Sequence, residues 1–256
     1  MKRKISIALL LIGAIIVASP PTLLADRIED QYRHASELLW AGQLKEAQSG
    51  FEVILQKKPH YRSARTLLGL TLAKLADQSE EKGDRTGAVS QLREALRLDS
   101  EEAYWHSALA KLLHAQGNAE EAAKECRQAA IISPGDSNLA RGCGFGMSPE
   151  IEKDNTAPNV SGLARTEGLT RPFPEKRPAP AYSEKARDAR LQGTVVLWLI
   201  VDAHGDVEEA AIARPLGLGL DESALRTVRT WMFKPATLNG APARVRVIVE
   251  ISFRLF

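Results

Sequence analysis

Composition and charge set the first limits on this chain of 256 residues. Hydrophobic residues make up 44% and charged residues 26% of the sequence, which is ordinary for globular protein and excludes a wholly disordered chain. The 34 basic and 32 acidic residues leave a net charge of +2, so the strong basic field of a nucleic-acid-binding protein is missing. Two cysteines are too few for a zinc site or a disulfide framework.

The first 25 residues have the pattern of a bacterial export signal. Three cations at positions 2–4 precede an apolar run at 5–18, as in the n-region and h-region of a signal peptide. Residues 5–25 are also long enough to span a bilayer, which takes roughly 20 residues. The sequence therefore leaves open whether a signal peptide is cleaved or an inner-membrane anchor remains. Because cations stay on the cytoplasmic side, both outcomes place the chain from Asp26 onward in the periplasm.

Residues 26–141 show a helical pattern that repeats. Ala47, Ala88 and Ala122 occupy equivalent positions, and the second spacing is 34 residues. This period, with small residues where two helices cross, resembles the tetratricopeptide repeat. The first spacing is longer, and the excess is assigned to a helix at 62–81 and the turn after it. The resemblance implies a helical solenoid that binds another protein; a spacer without a recognition task is the alternative.

Both cysteines lie near the end of these repeats. Cys126 takes the position that Phe51 holds in the first unit, which is typical of a small buried residue. Cys143 follows 17 residues later. In an oxidising periplasm the two could form a disulfide that staples the end of the repeats, and the sequence leaves this pairing open.

Residues 142–180 form a proline-rich stretch without helical periodicity. Proline-rich chains are extended and stiff, which predicts a tether between two folded parts. At about 3.1 Å per residue, its roughly forty residues would reach about 120 Å.

Residues 181–256 change to a mixed pattern of helices and strands. In chain order, the sequence predicts a short helix at 182–190, strands at 193–201 and 207–213, a helix at 222–232 with Asp221 as N-cap, a hairpin turn at Asn239 and Gly240, and a final strand. The strand at 193–201 is apolar on both faces, so it should be central and covered on both sides. The predicted chain is therefore multidomain, α followed by α+β, ending in an αββαβ unit.

The final strand has the most regular alternation in the chain. Its apolar positions are Val245, Val247, Val249, Ile251 and Phe253; its polar positions are Arg244, Arg246, Glu250 and Ser252; Ile248 is the exception. Successive side chains of a strand point to opposite faces, so this pattern indicates a half-buried strand. A strand at the end of a chain can lie at a sheet edge and pair with a partner strand. The predicted docking edge runs from Arg244 to Phe253.

Several motifs of this region occur in the order of a known family. They are Ala181-Tyr-Ser-Glu-Lys-Ala-Arg187, Gly193-Thr-Val195, Val201-Asp-Ala-His-Gly205, Gly219-Leu-Asp-Glu-Ser-Ala224 and Trp231-Met-Phe-Lys-Pro-Ala236. Together they resemble the C-terminal domain of the TonB family. The resemblance implies a periplasmic domain that captures a segment of an outer-membrane TonB-dependent transporter by strand addition, as in siderophore transport. It also implies energy relayed from an inner-membrane motor of the ExbB/ExbD type.

Two departures from the family pattern bear on energy transduction. Ser183 stands where the family often has proline, and residues 5–25 lack the histidine with which energy-coupled members engage the motor. Two functions therefore stay open: a TonB-like transducer whose repeats bind another envelope protein, and a passive envelope scaffold without energy coupling. We expect no enzyme, cofactor or metal site, because the sequence shows no nucleophile–base set, phosphate loop or ligand cluster.

Overall fold

The computed structural model describes residues 21–140, 143, 157–160 and 167–255. Their first part consists of helix pairs: α1 (Pro21–Trp40) with α2 (Leu44–Lys57), α3 (Arg62–Glu81) with α4 (Arg85–Leu98), and α5 (Ala103–Ala115) with α6 (Ala119–Ile132). A short helix, α7 (Ser137–Ala140), follows. The pairing and the extra length of α3 agree with the sequence, so the predicted helical solenoid is confirmed.

Small residues set the distance between paired helices. Ala47, Ala88 and Ala122, at the equivalent positions, are fully buried. Gly50 lies so near α1 that a Cβ added to it would be 2.9 Å from the Cβ of Ala35, inside the normal contact distance of two carbon atoms. The repeating small residues therefore permit the close approach on which the stack depends.

Each pair also turns at a glycine. Gly42, Gly83 and Gly117 follow the first helices of the three pairs with φ values of +78°, +80° and +84°. This left-handed conformation is the one that glycine adopts most readily after a helix. The same turn in the same place is the backbone counterpart of the sequence repeat.

The predicted signal or anchor at residues 1–25 lies outside the described residues apart from its last five, which begin α1. Among the helices that the structure describes, none is long and apolar enough to cross a membrane.

The second part of the chain is a small α+β domain. Its elements are β1 (Phe173–Lys176), α8 (Glu184–Asp188), β2 (Gly193–Val201), β3 (Val207–Arg214), α9 (Leu220–Val228), β4 (Met232–Lys234), β5 (Ala236–Leu238), β6 (Ala241–Ala243) and β7 (Val245–Phe253). The main sheet has the order β3-β2-β7, and two smaller sheets pair β1 with β4 and β5 with β6. The hairpin predicted at Asn239 and Gly240 joins β5 to β6.

β2 is the central strand of the main sheet. It pairs antiparallel with β3 on one side and with β7 on the other. Its residues from Val195 to Val201 are all buried. α9 contacts one face of the sheet, and on the other face Trp198, Ile200 and Ala211 form a separate apolar cluster with Ala157. The prediction of a central strand covered on both sides is confirmed.

The helix predicted at 222–232 was misplaced at both ends. α9 begins at Leu220, and its N-cap position is Gly219. Asp221 does not cap this helix; its carboxylate accepts hydrogen bonds from the backbone N–H groups of Leu216 and Gly217, both at 2.8 Å. The chain from Met232 becomes strand β4 because β1, which lies far away in sequence, supplies its partner.

The proline-rich stretch also differs from the free tether that its composition predicts. Where the structure describes it, this stretch is folded onto the C-terminal domain. β1 pairs with β4, Leu169 forms a bridge with Leu238, and the indole N–H of Trp231 donates to the carbonyl of Pro178 at 3.1 Å. Prolines lack the N–H donor but keep the carbonyl acceptor, so they can still join such pairings.

The C-terminal domain packs against the first helices of the three pairs. Ala189, just after α8, shares a pocket with Tyr32 and Trp40 of α1, and α8 also contacts α3. The ammonium of Lys185 on α8 lies 2.8 Å from the carboxylate of Asp99, just before α5. Buried residues of both parts form one continuous hydrophobic core.

A candidate strand-docking edge

The predicted docking edge lies in a single strand at one edge of the main sheet. Of the ten predicted residues, Arg244 precedes β7, and the other nine form it. Val245, Val247, Ile251 and Phe253 are buried, as the alternation predicts. Ile248, on the opposite face, is 40% exposed, which explains why the pattern breaks there without disturbing the core.

The backbone of β7 presents alternate residues to the outside of the sheet. The N–H of Arg246 donates to the carbonyl of Pro158 at 2.9 Å, and the carbonyl of Arg246 accepts from the N–H of Val160 at 3.0 Å. Both backbone groups of Arg246 therefore point away from β2. Because strand geometry repeats every two residues, those of Ile248 and Glu250 point the same way, whereas those of the odd positions face β2.

A short piece of the proline-rich stretch lies on this edge. We call residues 157–160, Ala157-Pro-Asn-Val160, the edge segment. It runs parallel to β7, with Asn159 bridging to Arg246. Ala157 is 1% exposed and Val160 is 7% exposed, so both ends of the edge segment are buried against the domain.

Beyond the edge segment, a groove of about 380 Å³ follows β7. Its lining residues are Val160, Arg171, Pro172, Pro174, Arg177, Trp231, Phe233, Val247, Ile248, Val249 and Glu250. The guanidinium of Arg177 stacks over the Trp231 ring at 5.5 Å from its centroid, and the Trp231 and Phe233 rings are 6.2 Å apart. An apolar floor beside backbone donors and acceptors suits an extended peptide chain.

Tyr182 lies beside the C-terminal end of the docking strand. The Tyr182 ring meets the Phe253 ring edge-on, with 5.5 Å between centroids. Its hydroxyl donates to the carbonyl of Leu191 at 2.8 Å. Tyr182 thus packs against the C-terminal end of β7 through the Phe253 ring.

Comparison with known proteins adds the family. Residues 178–255 match the model of the Gram-negative bacterial TonB protein C-terminal domain, and residues 74–137 match a tetratricopeptide-repeat model. The C-terminal domain is therefore similar to the TonB C-terminal domain, and the helices before it are similar to tetratricopeptide repeats. We call residues 178–255 the TonB domain below.

Two relatives show how far the likeness extends. Protein TonB of Vibrio cholerae serotype O1 is 32% identical over 101 residues, which cover 36% of this chain and 41% of that protein. Protein TonB of Xanthomonas campestris pv. campestris is 36% identical over 77 residues, covering 30% of this chain and 34% of that protein. The chain thus spans less than half the length of these relatives.

Among solved structures, MamA (residue 41 to the end) from Desulfovibrio magneticus RS-1 is 18% identical. The match covers 50% of this chain and 67% of that one, with a TM-score of 0.34. At this score it adds nothing to the assignment of the repeats.

The opposite edge of the TonB domain's main sheet, formed by β3, is held by the repeats. The N–H of Ile212 in β3 donates to Oδ2 of Asp136 at 3.0 Å, and the hydroxyl of Tyr104 donates to the same oxygen at 2.6 Å. Oδ1 of Asp136 accepts from the N–H groups of Asn138 and Leu139 at the start of α7. Asp136 is fully buried, so one carboxylate joins the β3 edge to the end of the repeats.

A second buried carboxylate at this interface is Glu102. It accepts from the N–H of Leu218 in the TonB domain at 3.0 Å and lies 3.8 Å from the ammonium of Lys185. Burial, reinforced by the nearby Asp99 carboxylate, raises the pKa of Glu102 to about 8. Burial likewise raises the pKa of Asp221 to about 7.

The two cysteines lie close by, where Cys143 packs against the buried cluster of Ala103, Ala129 and Leu139. Cys126 of α6 and Cys143 form a disulfide with 5.7 Å between their Cα atoms. It ties the start of the proline-rich stretch to the last helix of the repeats. Within the described residues, no group of acidic, histidine or cysteine side chains could hold a metal ion.

Sequence reasoning missed the residues that fix the TonB domain to the repeats. Asp136 follows Pro134-Gly135 and precedes α7, so its role as a helix cap had a visible signal. Its bond to Ile212 had none, because it joins residues 76 positions apart. The sequence gives no sign of the edge segment either, because four residues are too few to show a strand period.

Proposed function

We propose that this is a periplasmic TonB-like protein that docks on outer-membrane TonB-dependent transporters by accepting an extended segment along β7. The observation that supports this best is that β7 forms an outer edge of the main sheet while its backbone groups already pair with a parallel segment. An edge able to accept one strand-like chain is able to accept another of suitable sequence. Transporters of siderophores are the class that the family suggests.

The proposed docking surface is the outward backbone of Arg246, Ile248 and Glu250, together with the groove beside it. The guanidinium of Arg246 lies 5.5 Å from the centre of the Trp198 ring, so this side chain is held against the sheet face. The odd positions from Val245 to Phe253 hold the strand in the core and act only indirectly. Of the ten residues predicted from the sequence, these three are therefore the ones whose backbone groups we propose a partner strand would bind.

Energy transduction is the further part of the proposal. An uncleaved anchor at residues 5–25 would link the TonB domain to a motor of the ExbB/ExbD type in the inner membrane. The alternative is a passive envelope scaffold, and the packing of the TonB domain on the repeats favours it, because a docked domain has less reach than one on a free tether. Retention of residues 1–25 in the mature protein, together with co-purification of the motor, would support transduction; a cleaved protein would rule it out.

For the repeats, we propose a second envelope protein as partner. The TonB domain contacts the first helices of the pairs, so such a partner would meet the second helices. Val53 on α2 is 40% exposed and Ile131 on α6 is 69% exposed. Single exposed apolar side chains are ordinary on a protein surface, so this proposal rests on the repeat architecture, whose stacked helices present an extended binding surface.

The docking proposal is tested with a peptide from the N-terminus of a transporter and the full-length protein. Glu250→Pro deletes an N–H that points away from β2, so it should weaken binding about tenfold, the effect of one or two lost hydrogen bonds. Glu250→Ala keeps the N–H and should bind almost normally. Proline at Val247 or Val249 is a poorer test, because those N–H groups face β2 and their loss would damage the sheet. Equal affinity of the two Glu250 variants would exclude strand addition at this edge.

A further inference from the structure

We propose that the edge segment is a built-in occupant of the β7 edge, which an incoming strand must displace before it can dock. This inference deepens the docking proposal and rests on it. It assigns the proline-rich stretch a role in controlling access, in place of the tether that its composition indicates.

The backbone contacts make the two occupants mutually exclusive. The edge segment uses both outward groups of Arg246, its N–H and its carbonyl. A partner strand that continued past Glu250 and Ile248 to Arg246 would need the same two groups. Since one strand edge accepts one neighbour in the plane of the sheet, the partner and the edge segment compete.

The side chains show that the edge segment is seated and does not merely pass by. Ala157 packs against Trp198, Ile200 and Ala211 on the sheet face opposite α9. Val160 joins the main core of the domain. Displacement therefore uncovers apolar surface, and a partner that replaces the edge segment must supply apolar side chains for the same two places.

Attachment at both ends gives the edge segment an advantage over any partner in solution. Towards the N-terminus, Cys143 is tied to α6 by the disulfide; towards the C-terminus, Leu169 is bridged to Leu238. Short tethers give effective concentrations in the millimolar range. The apparent affinity of a partner falls in proportion to the fraction of open molecules, so closure of about nine molecules in ten would weaken docking about tenfold.

The test uses the edge segment itself as the probe. A synthetic peptide with the sequence of residues 155–162, Asn-Thr-Ala-Pro-Asn-Val-Ser-Gly, is titrated into the full-length protein while the amide signals of β7 are followed by NMR. Val160→Pro removes the N–H that bonds to Arg246 and should release the edge segment. We expect this variant to bind the peptide about tenfold more tightly than the unaltered protein does.

Two further variants guard against a misleading result. Val160→Ala keeps the N–H and loses only part of the buried side chain. Its affinity for the 155–162 peptide should therefore fall between that of the unaltered protein and that of Val160→Pro. Ala157→Asp places a carboxylate against Trp198 and should release the edge segment without changing the backbone. If neither Val160→Pro nor Ala157→Asp gains affinity while the β7 signals show both to be folded, the inference is overturned.

The outcome is separable from that of the docking proposal. A gain in affinity for the 155–162 peptide, with no binding of transporter peptides to any variant, would support the cover and remove the proposed partner. Transporter peptides that bind the unaltered protein and Val160→Pro equally well would support docking and overturn the cover.

Discussion

The two outer edges of the main sheet are covered in different ways. On the β3 side, the N–H of Ile212 bonds to a buried carboxylate, Asp136, that also serves Tyr104 and the start of α7. On the β7 side, the cover is the edge segment, whose described contacts include backbone hydrogen bonds to Arg246 and the buried side chains of Ala157 and Val160.

This difference indicates which edge can change partners. A buried carboxylate with several donors cannot be withdrawn without leaving those donors unpaired, which costs about 1–3 kcal/mol for each group. A backbone-paired segment can be exchanged for another strand at little net cost, because the newcomer makes the same bonds. The β3 edge is therefore structural, and the β7 edge is suited to exchange.

The largest expected effect comes from removing the Asp136 carboxylate, which tests whether the β3 edge is held in place by this group. Asp136→Ala leaves the N–H of Ile212 and the hydroxyl of Tyr104 without their acceptor, and we expect a loss of about 3 kcal/mol in the free energy of unfolding. Urea denaturation of the full-length protein measures it. Asp188→Ala, at an exposed position of α8, is the matched control and should change stability little. A loss at Asp136 no larger than that at Asp188 would mean that the β3 edge is not fixed by this carboxylate.

Loss of the disulfide between Cys126 and Cys143 should have the next largest effect on the free energy of unfolding. This disulfide closes a loop of 17 residues, for which removal costs about 2–3 kcal/mol. Replacing Cys126 and Cys143 together by alanine should lower the free energy of unfolding by about this amount. Reductant should bring the unaltered protein to the same level and leave the double variant unchanged. Stability unaffected by reductant would show that the bond does not contribute.

Much of the fold could be predicted where the pattern was local. β2 appeared with its predicted ends because eight residues, seven of them apolar and five of them β-branched, lie between Gly193 and a turn. β7 followed from its alternation, and α3 from a repeat with a known period. In each case the residues that decide the structure are neighbours in sequence.

The parts that were missed depend on distant pairings. Met232 reads as the end of an amphipathic helix, and only the presence of β1 turns it into a strand. Asp221 reads as a helix cap, yet its carboxylate binds the loop before the helix. The docking strand was predictable as a strand, but its outward residues could be named only after the contacts of Arg246 were known. Composition alone describes the proline-rich stretch as extended, which is true of the edge segment, and does not reveal what it lies against.

The contacts between the TonB domain and the repeats should also make the free energy of unfolding depend on pH. We expect this effect to be smaller than that of the disulfide. In the unfolded chain, Glu102 titrates near its ordinary pKa of about 4.3, whereas in the folded protein its pKa is raised to about 8. Between these values the folded protein binds more protons than the unfolded chain, so the free energy of unfolding falls as the pH rises. These two pKa values alone would give a loss of about 4 kcal/mol between about pH 5 and pH 8. Because a buried site relaxes and admits water when it becomes charged, we expect a loss of about 1–2 kcal/mol. Below this window Glu102 is protonated in both states and contributes no slope.

Glu102→Gln isolates this effect. The amide oxygen can still accept from the N–H of Leu218 but does not titrate, so the slope of stability against pH should flatten. Glu101→Gln is the matched control, because the Glu101 side chain is 76% exposed although it also lies near Lys185. If both variants keep the slope of the unaltered protein, the pH response arises elsewhere.

The smallest loss of stability is expected for a substitution in the edge segment, and it tests whether the β7 edge differs from the β3 edge. Val160 is buried, so an obligatory core role would make Val160→Asp cost several kcal/mol. A cover that can detach limits this loss to its own opening free energy, roughly 1.4 kcal/mol for tenfold closure. Val195→Asp places the same charge in β2, at a fully buried position that cannot detach without unfolding the sheet, and should cost far more. Equal losses would show that the edge segment is part of the permanent core, and the β7 edge would then be as fixed as the β3 edge.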